Sequence, residues 1–195
     1  MKQWISNIQK KTEGMDRKQK IEYIFQYYWH YMVLFGLFMS VVILCIYHVF
    51  FGRQEIVFHC VAVNQEINYP RDQEIEEKIA QYMQTDPKKV IFDCDYIISY
   101  GDVQMREANE SSYEKFFLNW QVHALDMIIV PESFLNYCEE MGGVLEEELT
   151  LTPEMAEALK LRLPKEEPLI AGIPSDSKHK KAGKQFLEFL ASQEP

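Results

Sequence analysis

Histidines, carboxylates, hydroxyls and thiols are the side chains with which this chain could do chemistry, and their spacing limits what that chemistry is. His59 falls inside an apolar run, His123 near the end of an amphipathic one, and His179 in the basic stretch 178–181. None has HExxH spacing or accompanies a nucleophile elbow, and no glycine-rich loop is present to cradle a phosphate. Asp93 and Asp95 would share one face of a strand, because alternate residues point the same way. One such pair without further oxygens reads as a solvated strand edge rather than an acid–base pair or a Ca²⁺ site. Glu146, Glu147 and Glu148 read as solvated surface, and Asn109-Glu110-Ser111 fits a glycosylation acceptor by pattern alone. Cys60, Cys94 and Cys138 are odd in number and scattered, which supports neither a disulfide framework nor a zinc site. Each lies in an apolar segment, where cysteine packs as a small hydrophobe; a Cys60–Cys94 bridge between neighbouring strands is the alternative. The chain therefore reads as non-enzymatic, with no catalytic residue, metal ligand or cofactor expected.

The elements that position these residues alternate. Apolar, β-rich runs at 55–63, 90–98, 125–130 and 168–173 read as buried strands. Helical spacing covers 72–84 with Asp72 as N-cap, 111–124 with Phe116, Phe117, Trp120 and Ala124 inward, 133–141 up to a Gly142-Gly143 stop, and 180–192. Residues 144–166 are acidic and read as partly helical, with Pro153 in a first turn. The order predicts an α/β domain of three layers, with a mostly parallel sheet covered on both faces. Open parallel sheets carry their functional loops at the carboxyl ends of the strands. The candidate ligand-binding residues are therefore Asn64 and Gln65, Tyr100 and Asp102, Glu132 and Ser133, and Ser175, Asp176 and Ser177. Two of these loops open helices, whose free N–H groups favour anions. Ser133 and Ser175 are expected to cap those groups, and Glu132 and Asp176 would repel an anionic ligand.

Ahead of this domain, residues 32–52 form a run of 21 residues without Asp, Glu, Lys or Arg. As a helix it would be about 31 Å long, enough to cross a hydrocarbon core of about 30 Å. Tyr23, Phe25, Tyr27, Tyr28, Trp29 and Tyr31 crowd one end, and Tyr47, Phe50 and Phe51 mark the other, as interfacial belts do. The bilayer is thus the expected partner of 32–52, with His48 reaching the interface. Residues 1–31 carry six basic and three acidic side chains, whereas 53–195 carry 14 basic and 27 acidic. Positive charge stays on the cytoplasmic side, which predicts a cytoplasmic tail and an extracellular domain. The length of the polar and apolar stretches reads as an uncleaved signal anchor. Leu44 before Cys45 is too large for a lipobox. Within the tail, Trp4, Ile5 and Ile8 suit either a short helix on the inner leaflet or a disordered basic segment. Only Arg53 and Gln54 separate the span from the first strand, which favours a partner in or beside the bilayer. The parallel strands would then all run outward, with their loops on the membrane-distal side. Nucleic acid is not an expected partner.

Two segments carry a resemblance. Residues 125–149 (LDMIIVPESFLNYCEEMGGVLEEEL) and 169–190 (LIAGIPSDSKHKKAGKQFLEFL) resemble the outgoing and returning crossover segments of extracellular solute-binding proteins with the type 2 periplasmic-binding-protein-like fold. The second ends on a helix face of Ala182, Phe186, Leu187, Phe189 and Leu190. Such proteins have two lobes that close on a ligand. Here only residues 144–167 stand where a second lobe would be inserted, so the chain resembles a single lobe on a transmembrane anchor instead of a lipid. The resemblance implies docking to a transporter or another cell-surface protein. The alternative is a small-solute receptor completed by a homodimer or by a partner's lobe.

Overall fold

The computed structural model describes residues 14–51 and 55–193, so the tail segment 2–12 lies outside the described residues. The chain divides into an N-terminal unit ending at Arg53 and a second unit from Gln54 onward.

The first unit is one helix, α1 (Arg17–Phe51). Within it, Trp29–His48 spans 20 residues of mean hydropathy 2.1, none of them buried in the structure. The consecutive side chains Met32, Val33, Leu34 and Phe35 are all exposed, so apolar groups cover every side of the helix rather than one stripe. Length and composition suit a membrane span or a signal sequence.

The second unit is an α/β domain. Its elements are β1 (Phe58–Ala62), α2 (Tyr69–Tyr82), β2 (Val90–Asp93), α3 (Glu110–Gln121), β3 (Met127–Pro131), α4 (Glu132–Glu140), β4 (Leu145–Thr150), α5 (Pro153–Ala158), β5 (Leu169–Pro174) and α6 (Lys180–Ala191). The strands form one sheet in the order β2-β1-β3-β5-β4. β1 is parallel to both β2 and β3, while β5 runs antiparallel to β3 and β4. Alternation along the strands feeds two apolar layers. Phe58, Cys60, Ala62, Met127, Ile129, Ala171 and Ile173 pack with α2, α5 and α6. Val61, Val63, Ile128, Val130 and Ile170 pack with α3 and α4 on the opposite face.

Four expectations need correction. The acidic stretch 144–166 is helical at α5, where Pro153 takes the first turn, but its residues 145–150 are an unforeseen edge strand; Glu146 and Glu147 are held by Lys180 and Lys184 of α6, and charge is tolerated where a strand has a neighbour on one side only. The strand at 169–174 returns antiparallel, so residues 175–177 lie at the opposite end of the sheet from the loops after β1 and β3. The second strand stops at Asp93, whose Oδ1 accepts the Asp95 N–H in a local turn, so the two aspartates do not share a strand face. The first domain helix starts earlier than Asp72: Asn68 caps the Arg71 N–H at 3.2 Å, and Pro70 sits in the first turn, where its missing N–H costs nothing. The Gly142-Gly143 stop is present. Gly142 adopts φ 91°, and a Cβ on Gly143 would meet the Cys138 carbonyl at 2.9 Å.

Candidate functional site

The helix after β1 and the helix after β3 lie on opposite faces of the sheet, so the chain changes direction between these adjacent strands. The crevice outside their carboxyl ends is where open α/β sheets bind ligands. Here it is a cleft of about 270 Å³ lined by Asn64, Gln65, Tyr100, Val103, Met105 and Pro131, with Arg162, Leu163, Pro164, Lys165 and Glu167 on the other wall. Three of the four candidate loops therefore converge.

Most of their polar atoms are already engaged. Asn64, in the left-handed region at φ 57°, accepts the Ile98 N–H at 2.8 Å and donates to the Ile98 carbonyl at 3.1 Å. It thereby fixes the loop after β2. Gln65, 3% exposed, makes the same two-way contact with the backbone of Arg162, at 2.8 and 3.2 Å. Ser133 is not a cap. Its hydroxyl bonds the Tyr100 hydroxyl at 2.7 Å, and its own N–H donates to Glu167 Oε2 at 2.8 Å. Burial raises the Tyr100 phenol above its ordinary value, and the Glu167 charge adds to that. Asp102 and Glu132 are exposed at the same end. The residues that sequence reasoning missed, Arg162 to Glu167, follow an irregular stretch whose place over the crevice depends on the unforeseen strand β4.

The fourth loop belongs to a second cluster at the other end of the sheet. Asp126, 2% exposed, accepts four hydrogen bonds there. Its Oδ2 takes the His59 N–H at 3.0 Å and His179 Nδ1 at 3.1 Å. Its Oδ1 takes the Ser177 hydroxyl at 2.8 Å and the His179 N–H at 3.2 Å. Asp176 Oδ2 pairs with His123 Nδ1 at 2.6 Å. Ser175 is not a cap, because α6 begins only at Lys180, with His179 as N-cap. Ser177 gives its proton to a carboxylate rather than to an imidazole, so the cluster fastens the β5–α6 turn to the start of β3 and provides no nucleophile–base pair at that serine. A legible sign of it was Asp126 itself, one charge in an otherwise apolar run.

His59 gives this end a pH dependence. Its Nδ1 donates to the Ala124 carbonyl at 3.0 Å, while Nε2 is buried with no partner among the described residues. Burial lowers its pKa from 6.5, outweighing the nearby Asp93 and Asp126. The unfolded chain then binds this proton more readily than the folded one, so stability is full above pH 6.5 and falls as pH drops below it toward the folded value. Thermal unfolding between pH 7.5 and 5.5 should show a decline that His59→Gln flattens; equal slopes in the two proteins would assign the effect elsewhere.

Cys60, Cys94 and Cys138 are buried free thiols, so the Cys60–Cys94 bridge is not formed. Burial pushes the Cys138 thiol up to about 12, and Cys60 and Cys94 are raised as well, which disfavours the reactive thiolate. Among the described residues no group of three or more His, Cys, Asp and Glu is arranged to hold a metal ion. Asn109 of the sequon caps α3 through Ser111 N–H at 2.9 Å.

Comparison with protein-family models, characterised proteins and solved structures finds no match for this chain. What it does is therefore argued from the site.

Proposed function

We propose that this chain is a membrane-tethered, non-enzymatic binding module, a single-lobe relative of extracellular solute-binding proteins that docks to a transporter or another cell-surface protein. Residues 32–52 anchor it, with residues 1–31 cytoplasmic and the α/β domain outside. The observation that carries this reading is the state of the crevice between β1 and β3. Its amides are spent on the chain's own backbone, and the helix end that would attract an anion already holds Glu167. Tight small-solute binding uses an enclosed pocket with a few polar groups turned toward the ligand. This cleft is open, small and rimmed by Val103, Met105 and Leu163, which suits the edge of a protein surface better. The short connection between anchor and first strand supports a partner in or beside the bilayer. A solute receptor completed by a homodimer or a partner's lobe would use the same crevice, whose second wall is formed by Arg162, Leu163, Pro164, Lys165 and Glu167.

The test is photo-crosslinking in native membranes from single positions. Probes at Val103 and Leu163 should give one discrete adduct with a membrane-associated protein, and a probe at Lys88, at the amino end of β2, should not. Adducts from every position alike, or from none, would reject docking at the crevice.

A further inference from the structure

The end of the α/β domain opposite the crevice gathers most of its exposed apolar side chains, and we propose that it is a lipid-contact face. Val122, Met141 and Val144 enter the headgroup layer of the bilayer that holds residues 32–52. This rests on the membrane-anchor reading above and adds the surface by which the domain itself meets lipid.

Strand direction collects the turns of this face. β1, β2 and β3 begin at this end and β5 finishes there, so the connections from α2 to β2, α3 to β3, α4 to β4 and β5 to α6 lie together. Ser175 N–H donates to the Val144 carbonyl at 2.9 Å, and Lys178 Nζ donates to the Val122 carbonyl at 3.1 Å. The turn after β5 thus holds Val122 and Val144 on either side of it. Gly143 packs on Trp120, which sets the turn at 141–144 against the end of α3. Among the described residues of the domain, Tyr82, Leu118, Val122, Met141 and Val144 are exposed in last helical turns or connections at this end, and only Ile67, Tyr69 and Val103 are comparable at the other. Val122, Met141 and Val144 are 48%, 60% and 57% exposed on backbone that is fixed by these contacts. Apolar groups gathered in this way mark an interaction surface.

What covers the face follows from where the chain enters the domain. Val57, on the way into β1, donates its N–H to the Lys89 carbonyl at 2.8 Å, beside the start of β2. Residues 53–57 reach about 20 Å at most when fully extended, so a bilayer crossed by 32–52 lies within reach of these turns. Charge agrees. Residues 53–195 hold 27 acidic and 14 basic side chains. At this end the charges balance: Lys88, Lys89, Lys178 and Lys181 stand against Glu55, Asp86, Glu139 and Glu140, while Asp176 pairs with His123 and Glu146 with Lys180. At the crevice end Asp95, Asp102, Glu107, Glu132 and Glu166 outnumber Arg106, Arg162 and Lys165. Anionic headgroups therefore repel the crevice end and not this one, and lysines beside apolar side chains suit the headgroup layer. The crevice is left open to the protein partner proposed above.

The experiment uses the full chain with Cys45→Ser, reconstituted into vesicles of phosphatidylcholine and phosphatidylglycerol that contain a lipid spin-labelled near its headgroup. Cys60, Cys94 and Cys138 are buried, so an environment-sensitive fluorophore attaches to one introduced cysteine, and their continued protection shows that each variant is folded. The spin-labelled lipid should quench the probe at Met141→Cys and Val144→Cys at least twofold more than at Val103→Cys or Leu163→Cys. Adding Val122→Asp and Met141→Asp to Val144→Cys separates contact from mere tethering and should at least halve the quenching. Equal quenching at both ends, stronger quenching at the crevice end, or quenching that the two aspartates leave unchanged overturns the proposal. A probe at Val144 that crosslinks one protein in native membranes and is not quenched by lipid gives the face to a protein and overturns it too. Retention of the chain in membranes washed at high pH, with equal quenching at both ends, would leave the anchor standing and remove only the lipid face. Quenching at Val144 in a chain that the wash releases would do the reverse.

Discussion

Asp126→Ala should cost the α/β domain about 3–5 kcal/mol and lower its unfolding temperature by roughly 10–15 °C. The size follows from what the carboxylate does. It is the shared acceptor for two backbone N–H groups, one hydroxyl and one imidazole, drawn from β1 and from the β5–α6 turn. Truncation leaves the His59 N–H and the buried Ser177 hydroxyl without their acceptor, each at a cost of about 1–3 kcal/mol, whereas the partly exposed His179 keeps its N–H bonded to Ser177 Oγ at 3.1 Å. Ser177→Ala removes one donor and leaves the acceptor partnered, so it should cost about 1 kcal/mol. Asp126→Asn should fall between, because its amide turns two hydrogens toward groups that are themselves donors. Thermal unfolding followed by labelling of the buried thiols Cys60, Cys94 and Cys138 reports the domain, since all three lie within it. A midpoint for Asp126→Ala within about 3 °C of the unmodified chain would show that the hub is dispensable.

That hub also marks where sequence reading reached its limit. β1 and β3 were legible because they are largely buried on both faces, and MIIVP, and FHCVA apart from His59, show it as apolar runs. β4 was not, because an edge strand is free to carry charge, and LEEELT says nothing of its pairing with β5. Missing β4 also hid the direction of β5. A central strand looks the same in sequence whichever way it runs, so LIAGIP gave its burial but not its sense. From that one ambiguity follows the error about Ser175, Asp176 and Ser177, which were grouped with the other strand ends and lie at the far end. Asn64, Gln65 and Tyr100 line the crevice, with Ser133 bonded to Tyr100 beside it, because β1, β2 and β3 run parallel. Their occupation by the chain's own backbone and by Glu167 depends on contacts between residues as many as 97 positions apart, which no local pattern encodes.

The combined substitution Leu37→Arg and Val41→Arg should abolish membrane retention. The two positions lie one helical turn apart near the middle of Trp29–His48, and both side chains are exposed in the structure. Each arginine at the centre of a span costs about 2.5–3.5 kcal/mol on the insertion scale, and the lost leucine and valine add about 0.3–0.6 kcal/mol each. The total of about 6–8 kcal/mol exceeds what a single 20-residue segment of this hydropathy can offset. The unmodified chain should remain in membranes washed at high pH, and the double variant should leave them. Leu37→Ala with Val41→Ala should stay, because alanine keeps the segment uncharged. The same fractions separate an anchor from a signal sequence: an anchor leaves the whole 23.1 kDa chain in the membrane, whereas cleavage would release a fragment beginning near residue 53. A retained double-arginine variant would mean that the α/β domain holds the membrane by its own contacts. Docking to a bilayer partner would then be the primary attachment of this protein, with the helix secondary to it.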